Sequence, residues 1–131
     1  MIGLDTNILV RYLTQDDEVQ CRTVNRLFGR FNSESPAFVN NIVFCEMIWV
    51  LESNYKYSKK DIIMRVKFLL ATEEIVFEDL PSLLNAIDYF EKGIADFSDC
   101  LIGIINKKSG CEFSFTFDKD AGKNDNFKLL I

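Results

Sequence analysis

The sequence contains no histidine, and its four cysteines form no C-x-x-C pair. Without histidine, a Ser-His-Asp or Cys-His triad, a histidine-ligated zinc site and a histidine general base are excluded. The cysteines are most simply explained as reduced thiols in the cytosol. Any chemistry must therefore come from carboxylates, hydroxyls, amides, lysines or a metal ion.

Long apolar runs are also missing. No segment reaches the roughly 18 consecutive apolar residues that a membrane span needs. The first ten residues lack the basic and then apolar pattern of a signal peptide. We therefore expect a cytoplasmic protein with no membrane segment, and the length of 131 residues predicts one globular domain covering residues 1–131.

Basic side chains are outnumbered, with 15 Lys and Arg against 20 Asp and Glu, for a formal net charge of −5 and a pI of about 4.7. This balance argues against a protein that holds nucleic acid mainly through counterion release. If several carboxylates share a divalent cation, however, the local charge of the metal-bound protein is far less negative than the formal count.

Strand and helix patterns alternate along the chain. Short apolar or alternating segments predict five strands, at residues 2–4, 37–39, 75–77, 113–117 and 128–131. Helical spacing of the apolar residues predicts six helices, the second capped by Asp16 and Asp17 and the fourth by a capping box that begins at Ser58. Strands separated by helices imply right-handed crossovers. The predicted fold class is therefore α/β, a three-layer α/β/α fold with a mostly parallel central sheet.

Two acids follow predicted strands, Asp5 after the first and Asp118 after the fourth. In parallel α/β sheets, ligands bind beyond the carboxyl ends of the strands, where these side chains would emerge. Both acids also suit helix capping, and each taken alone favours capping over metal binding.

Three further acids lie within predicted helices. Glu46 is surrounded by apolar residues on its helix, so we expect a mostly desolvated charge that needs a cation, a metal or a hydrogen-bond network. A structural ion pair with Arg or Lys explains it equally well. Asp96 and Asp99 are neighbours on one turn near a helix start, where acids favour the helix dipole, but two like charges this close also suit a divalent cation.

The joint pattern of these acids predicts an oxygen-ligand site for Mg²⁺ or Mn²⁺. Other acidic residues are interpreted as solvated surface: Asp17, Glu18, Glu73, Glu74, Glu78 and Asp79.

Four segments resemble a known family. They are D-T-N-I-L-V-R-Y-L from Asp5, E-M-I-W-V-L-E from Glu46, A-D-F-S-D-C-L-I around Asp96 and Asp99, and T-F-D ending at Asp118. In order and spacing they are similar to the motifs of the PIN-domain family, and specifically of its VapC-like toxins. The motifs span nearly the whole chain.

The resemblance implies a set of site residues. Four match the acids of the family: Asp5, Glu46, Asp99 and Asp118. Asp96 matches an extra acid that many members carry.

Supporting residues are implied in the same way, since Thr6, Asn7 and Thr116 fall where the family has hydroxyl or amide groups that hold the acids and the water shell. Mg²⁺ keeps several waters and needs only one or two carboxylates. Asp5 and Asp99 are therefore the predicted direct ligands.

The implied activity is metal-assisted hydrolysis of an RNA phosphodiester by water attacking in line. Glu46 and Asp118 are expected to orient or deprotonate the water, or to help hold a second ion. Arg11, Lys119 and Lys123 are candidates for steering the RNA, although solvated surface explains each of them more simply. The family also implies a homodimer and a small antitoxin protein that occupies the active-site groove.

Other functions remain open alternatives. A receiver-like regulatory domain also gathers acids and Mg²⁺ at strand ends, but the second predicted strand is followed by Asn40 where a phosphorylatable aspartate is needed. A HAD-like phosphatase requires D-x-D at the first strand, and Asn7 occupies the second position. A PIN fold that only binds partners is disfavoured because all four acids are retained.

Overall fold

In the computed structural model, which describes residues 1–131, the chain divides into two compact units, residues 1–79 and 80–131. The first unit contains β1 (Ile2–Gly3), α1 (Thr6–Thr14), α2 (Glu18–Phe28), β2 (Ala37–Val39), α3 (Asn41–Ser53), α4 (Lys59–Leu70) and β3 (Ile75–Phe77). The second contains α5 (Leu80–Lys92), α6 (Phe97–Lys108), β4 (Ser114–Thr116), a 3-10 helix (Ala121–Lys123) and β5 (Phe127–Leu129). None of the helices combines the length and apolar character needed to cross a membrane.

The three strands of the first unit form a parallel sheet in the order β1-β2-β3. Ala37 in β2 pairs with Ile2 on one side and Ile75 on the other. Ala37 and Val39 are fully buried while Phe38 between them is half-buried, which follows from the alternation of side chains along a strand. The sheet therefore places one face of β2 in the core.

Helix starts in the first unit are set by side chains that accept backbone N–H groups. Asp17 accepts from Gln20 at the start of α2, and Ser58 accepts from Asp61 at the start of α4, which confirms both predicted caps. Asp16 does not cap. It forms an ion pair with Arg11 instead, with 2.9 Å between Oδ1 and Nη1.

The core of the first unit lies where α1 packs against α2 and α3, and α3 against α4. Its fully buried side chains include Leu9, Phe44, Met47, Leu51, Ile62, Val66 and Leu69. Phe44 on α3 meets Phe77 of β3 edge to face, with 6.1 Å between ring centroids. This packing holds α3 against the sheet.

The second unit is organised by α5 packing on α6, where Phe90 and Phe97 meet edge to face at 6.1 Å. Strands β4 and β5 form a separate parallel pair, with Ser114 opposite Phe127. Both predicted C-terminal strands therefore exist with shifted bounds. Every strand pairing in the chain is parallel, as predicted, within two hydrogen-bonded sheets.

Candidate functional site

Asp5 directly follows the first strand and caps α1. Its Oδ1 accepts a hydrogen bond from the backbone N–H of Thr6 at 2.6 Å, and its side chain is exposed. The capping expected from the sequence is thus present. Since Oδ2 makes no hydrogen bond within the protein, one carboxylate oxygen still faces solvent, and metal binding by Asp5 stays a prediction.

Thr6 connects the start of α1 to α3. Its side chain is buried, and its Oγ1 donates to Oε2 of Glu46 at 3.4 Å. The first unit therefore brings the hydroxyl next to Asp5 into contact with a second predicted acid.

The prediction that Glu46 is desolvated was wrong, because the residue is exposed. Helix α3 is apolar on nearly every side, so its sequence does not indicate which side faces solvent. Ile42 and Trp49, one turn before and after Glu46 on the same face, are 70% and 63% exposed. The acid therefore lies on the solvent face of α3 among exposed apolar residues.

In the second unit, Asp96 caps α6. Its Oδ1 accepts from the backbone N–H of Asp99 at 2.8 Å, and Asp99 lies half-buried in the first turn of the helix. The two acids are therefore held one helical turn apart by the cap itself.

Asp118 follows β4 and fixes the turn that leads into the 3-10 helix. Its Oδ1 accepts from the backbone N–H groups of Asp120 and Ala121, each at 2.9 Å. The N–H of Asp118 donates to Oγ1 of Thr116 at 3.0 Å. Thr116 thus contacts the acid that it was predicted to support.

Electrostatics link the three acids of the second unit. Burial raises the pKa of Asp99 to about 6, and the carboxylates of Asp96 and Asp118 add to the rise. Negative charge is therefore in excess around Asp99. A cation placed here would relieve this repulsion.

In neither unit do three acidic or thiol side chains converge closely enough to hold an ion on their own. The donor set nevertheless fits Mg²⁺ or Mn²⁺, because these hard cations take oxygen ligands, and Mg²⁺ completes its shell with several waters. The carboxylates of Asp96, Asp99 and Asp118 offer such oxygens, and waters would complete the shell.

The predicted RNA-steering residues have different environments. Arg11 is engaged on several sides: Nη1 donates to Asp16 at 2.9 Å and to the Tyr55 hydroxyl at 2.8 Å, and Nε donates to Gln20. Burial lowers the pKa of Arg11, but the charges and hydrogen bonds of Tyr55 and Asp16 outweigh it, so the pKa is raised. These contacts explain the residue structurally. Lys119 is exposed and forms no ion pair.

Asn7 and Lys123, the remaining predicted residues, are also exposed. No hydrogen bond joins Asn7 to a predicted acid. Steering by Lys119 or Lys123, and a supporting role for Asn7, stay predictions.

Sequence reasoning missed a long-range contact of Glu78. Glu78 was assigned to solvated surface, and although it is exposed, its Oε1 accepts from the backbone N–H of Asn41 at 2.9 Å. A carboxylate at the start of α3 is favoured by the helix dipole. The two residues are 37 positions apart in the chain, so no local sequence signal predicts this contact.

Comparison with known proteins adds to this geometry. The PIN domain family model matches residues 2–126, which include every predicted acid. The chain belongs to the PIN domain family. The α/β class with parallel strands that the sequence predicted is therefore confirmed as PIN-like.

A curated relative agrees with this assignment. The VapC ribonuclease of Aquifex aeolicus (strain VF5) is 29% identical over 117 residues, which cover 88% of this PIN domain chain and 86% of the relative. Among solved structures, Mycobacterium tuberculosis VapC20, described as a sarcin-ricin loop cleaving toxin, is 16% identical with a TM-score of 0.46 and covers 94% of each chain. The resemblance to the family and its VapC-like members is confirmed.

Proposed function

We propose that this protein is a metal-dependent endoribonuclease, formed by one PIN domain over residues 1–131 and acting as the toxin of a toxin–antitoxin pair. The observation that carries the proposal is the family match over residues 2–126, within which all four motif acids are retained. Similarity to a protein named VapC ribonuclease supports RNA as the substrate.

Asp5 and Asp99 are the proposed ligands of Mg²⁺ or Mn²⁺. The pKa of Asp99 is raised first by burial and then by the carboxylates of Asp96 and Asp118. The second contribution supports this role, since a divalent cation would offset that negative charge. When bound, the ion supplies Lewis-acid activation of water and compensates charge on the phosphate. In Asp5, Oδ1 caps α1, while Oδ2 makes no hydrogen bond within the protein and could bind the ion.

Glu46 and Asp118 are proposed to orient the attacking water and to accept its proton. As the bond between the water oxygen and phosphorus forms and the ester P–O bond breaks in line with it, one of these carboxylates takes the water's proton and the leaving oxygen takes a proton from solvent. Thr6 orients Glu46 through its hydroxyl, and Asp118 is oriented by the two N–H groups that hold Oδ1. Both acids keep one oxygen available for the water.

A small antitoxin protein and a second copy of the chain are the proposed protein partners. Both follow from the resemblance to VapC-like toxins. Size-exclusion chromatography with light scattering of the purified chain would show a dimer mass if the second copy binds.

The test of the activity is RNA cleavage by the purified protein with Mg²⁺ or Mn²⁺, with EDTA, and by folded Asp5→Asn and Asp99→Asn variants. Glu34→Gln, which changes an exposed acid of the first unit, is the matched control. We expect cleavage that requires metal, disappears in both Asn variants and persists in the control. Absence of cleavage of total tRNA and of single-stranded RNA by the folded wild type in either metal would contradict the proposal.

A further inference from the structure

Two cavities lie side by side on the second unit. The near cavity, about 460 Å³, lies between the end of α5 and the 3-10 helix and is lined by residues that include Tyr89, Ile94, Ala95, Asp120, Lys123 and Asp125. The far cavity, about 380 Å³, lies between the start of α5 and the end of α6, with Ser82, Asn85, Tyr89, Lys107, Lys108 and Asn126 in its wall. Both volumes fall within the range of small-ligand sites.

Tyr89 is the residue that the two cavities share. Its side chain is half-buried, and its hydroxyl forms no hydrogen bond within the protein. An aromatic ring between the two cavities offers a surface for stacking a base, and base stacking on aromatic side chains is a common mode of single-stranded RNA recognition.

The near cavity begins beside the acids of the second unit. Asp120 lines it, and the N–H of Asp120 donates to Oδ1 of Asp118 at 2.9 Å. Ala95 lines it as well, and the next residue is the cap Asp96. A nucleotide in the near cavity would therefore lie next to the proposed site of cleavage.

Lysines are concentrated in the walls of the cavities, and net positive charge in the wall of the far cavity. Of the six lysines in residues 80–131, four line one or the other: Lys92 and Lys123 the near cavity, Lys107 and Lys108 the far cavity. Lys107 donates to the backbone oxygen of Glu112 at 2.9 Å, a contact that leaves its charge uncompensated. In the near cavity Lys92 pairs with Asp88 and two aspartates balance the lysines. The far cavity has no acid in its wall, so in a chain with a net charge of −5 it is the far cavity that indicates an anionic group.

The two cavities differ in chemistry. Asp120 and Asp125 in the near cavity accept hydrogen bonds and suit the amino groups of bases rather than phosphates. The far cavity has two adjacent lysines and the start of α5, whose positive dipole end attracts phosphate.

We propose that the two cavities form a binding groove for single-stranded RNA, with a base in the near cavity, a base stacked on Tyr89, and backbone phosphates on Lys107 and Lys108 in the far cavity. The proposal rests on the proposed ribonuclease function and adds the path that the RNA follows away from the site of cleavage. Single-stranded loops are the RNA elements whose bases are exposed for such stacking.

The experiment measures binding of a fluorescein-labelled single-stranded RNA of about 12 nucleotides, within the usual site sizes for such proteins. Fluorescence anisotropy in EDTA at several salt concentrations keeps binding separate from cleavage. The variants are Tyr89→Ala, Tyr89→Phe, and Lys107→Gln with Lys108→Gln. The matched control is Lys56→Gln with Lys60→Gln, which removes two exposed charges from the first unit.

Tyr89→Ala is expected to weaken binding roughly 10-fold without changing the salt dependence, because stacking is lost while phosphate contacts remain. Tyr89→Phe retains the ring and binds like wild type. The Lys107 and Lys108 double variant lowers the slope of log affinity against log salt by about 1.4, since two phosphate contacts to a single strand are lost. The control pair leaves affinity and slope unchanged.

Wild-type RNA binding that none of the variants weakens would overturn the groove while leaving the ribonuclease proposal in place. An equal loss in the lysine pair and its control would also overturn it, because charge position would then not matter. If the folded wild type neither binds nor cleaves RNA, the groove and the ribonuclease function both fail. The exposed lysines keep the test informative even if Tyr89→Ala does not fold.

Discussion

The Oγ1 hydroxyl of Thr6 donates to Oε2 of Glu46 at 3.4 Å, across 40 positions of sequence. This contact joins the start of α1 to the solvent face of α3. It is long for an O–H···O hydrogen bond, so it contributes orientation rather than much stability.

Replacement of Thr6 by Val is expected to slow metal-dependent RNA cleavage about 2-fold, the equivalent of about 0.5 kcal/mol, the low end for one hydrogen bond. Val keeps the buried shape but removes the donor to Glu46, whereas Thr6→Ser keeps the donor and should cleave at nearly the wild-type rate. Cleavage rates and urea unfolding of both variants test this. Equal rates for Val and wild type would show that Thr6 does not orient Glu46.

Asp99 makes the stability of the metal-free protein depend on pH. Its pKa is about 6 in the folded protein against an ordinary value of 3.8, so the folded state binds this proton more tightly than the unfolded chain. The stabilisation is complete below the ordinary pKa and is lost as the pH rises through 6. Asp99→Asn should therefore be more stable than wild type at pH 7 and lose that advantage as the pH falls towards 4.

Urea midpoints in EDTA across this pH range measure the difference between wild type and Asp99→Asn. Glu34→Gln, an exposed acid of the first unit, should follow the wild-type curve at a constant offset. A constant offset for Asp99→Asn as well would contradict the raised pKa.

The role of Asp96 in capping α6 can be separated from any role in ion binding. Asp96→Ala removes the cap of α6 and should cost about 1 kcal/mol of unfolding free energy, whereas Asp96→Ser retains a capping oxygen and costs little. Both remove the charge next to Asp99. If the charge matters for ion binding, the Mn²⁺ affinity of both variants changes equally; if only the cap matters, Asp96→Ser binds Mn²⁺ like wild type.

Gly103 lies where α6 touches β5. A Cβ at this position would lie 2.6 Å from Cε2 of Phe127 and 3.0 Å from Cβ of Asn126. Alanine normally favours a helix over glycine, but here overpacking should reverse the sign and destabilise the protein by about 1–3 kcal/mol. Gly29→Ala, where the nearest atoms lie at 3.5 Å, is the control and should change stability by less than about 0.5 kcal/mol. Thermal and urea unfolding of both variants show whether the free energy of unfolding rises or falls.

Local signals predicted much of the fold. The strand at Ile75–Phe77 and the caps at Asp17 and Ser58 depend on residues close together in sequence, and the structure has all three. Helix α1 begins at Thr6, ahead of the apolar stripe that starts at Ile8, because Asp5 caps it. Periodicity marks the packed face of a helix rather than its first residue.

The candidate site was predicted less completely. The residue types were recognisable from the motifs, but the environment of Glu46 was not, because an apolar residue such as Trp49 gives no sign that it faces solvent. Contacts between distant residues, such as that of Glu78 with Asn41, depend on packing that one sequence does not encode locally. Asp118 both holds a turn and is exposed to solvent, and the capping role expected of it does not indicate which backbone N–H groups it accepts.

The turn at Asp118 also affects how the activities of Asp118 variants should be interpreted. Asp118→Asn removes the charge but retains a carbonyl oxygen for the N–H groups of Asp120 and Ala121, whereas Asp118→Ala leaves both donors without that acceptor. If Asp118→Ala is inactive, the loss therefore has two causes. The carboxylate is missing, and the turn that it holds has lost its acceptor. Only the Asp118→Asn variant reports the contribution of the charge, and the difference in residual RNA cleavage between the two variants measures what the shape of the turn contributes.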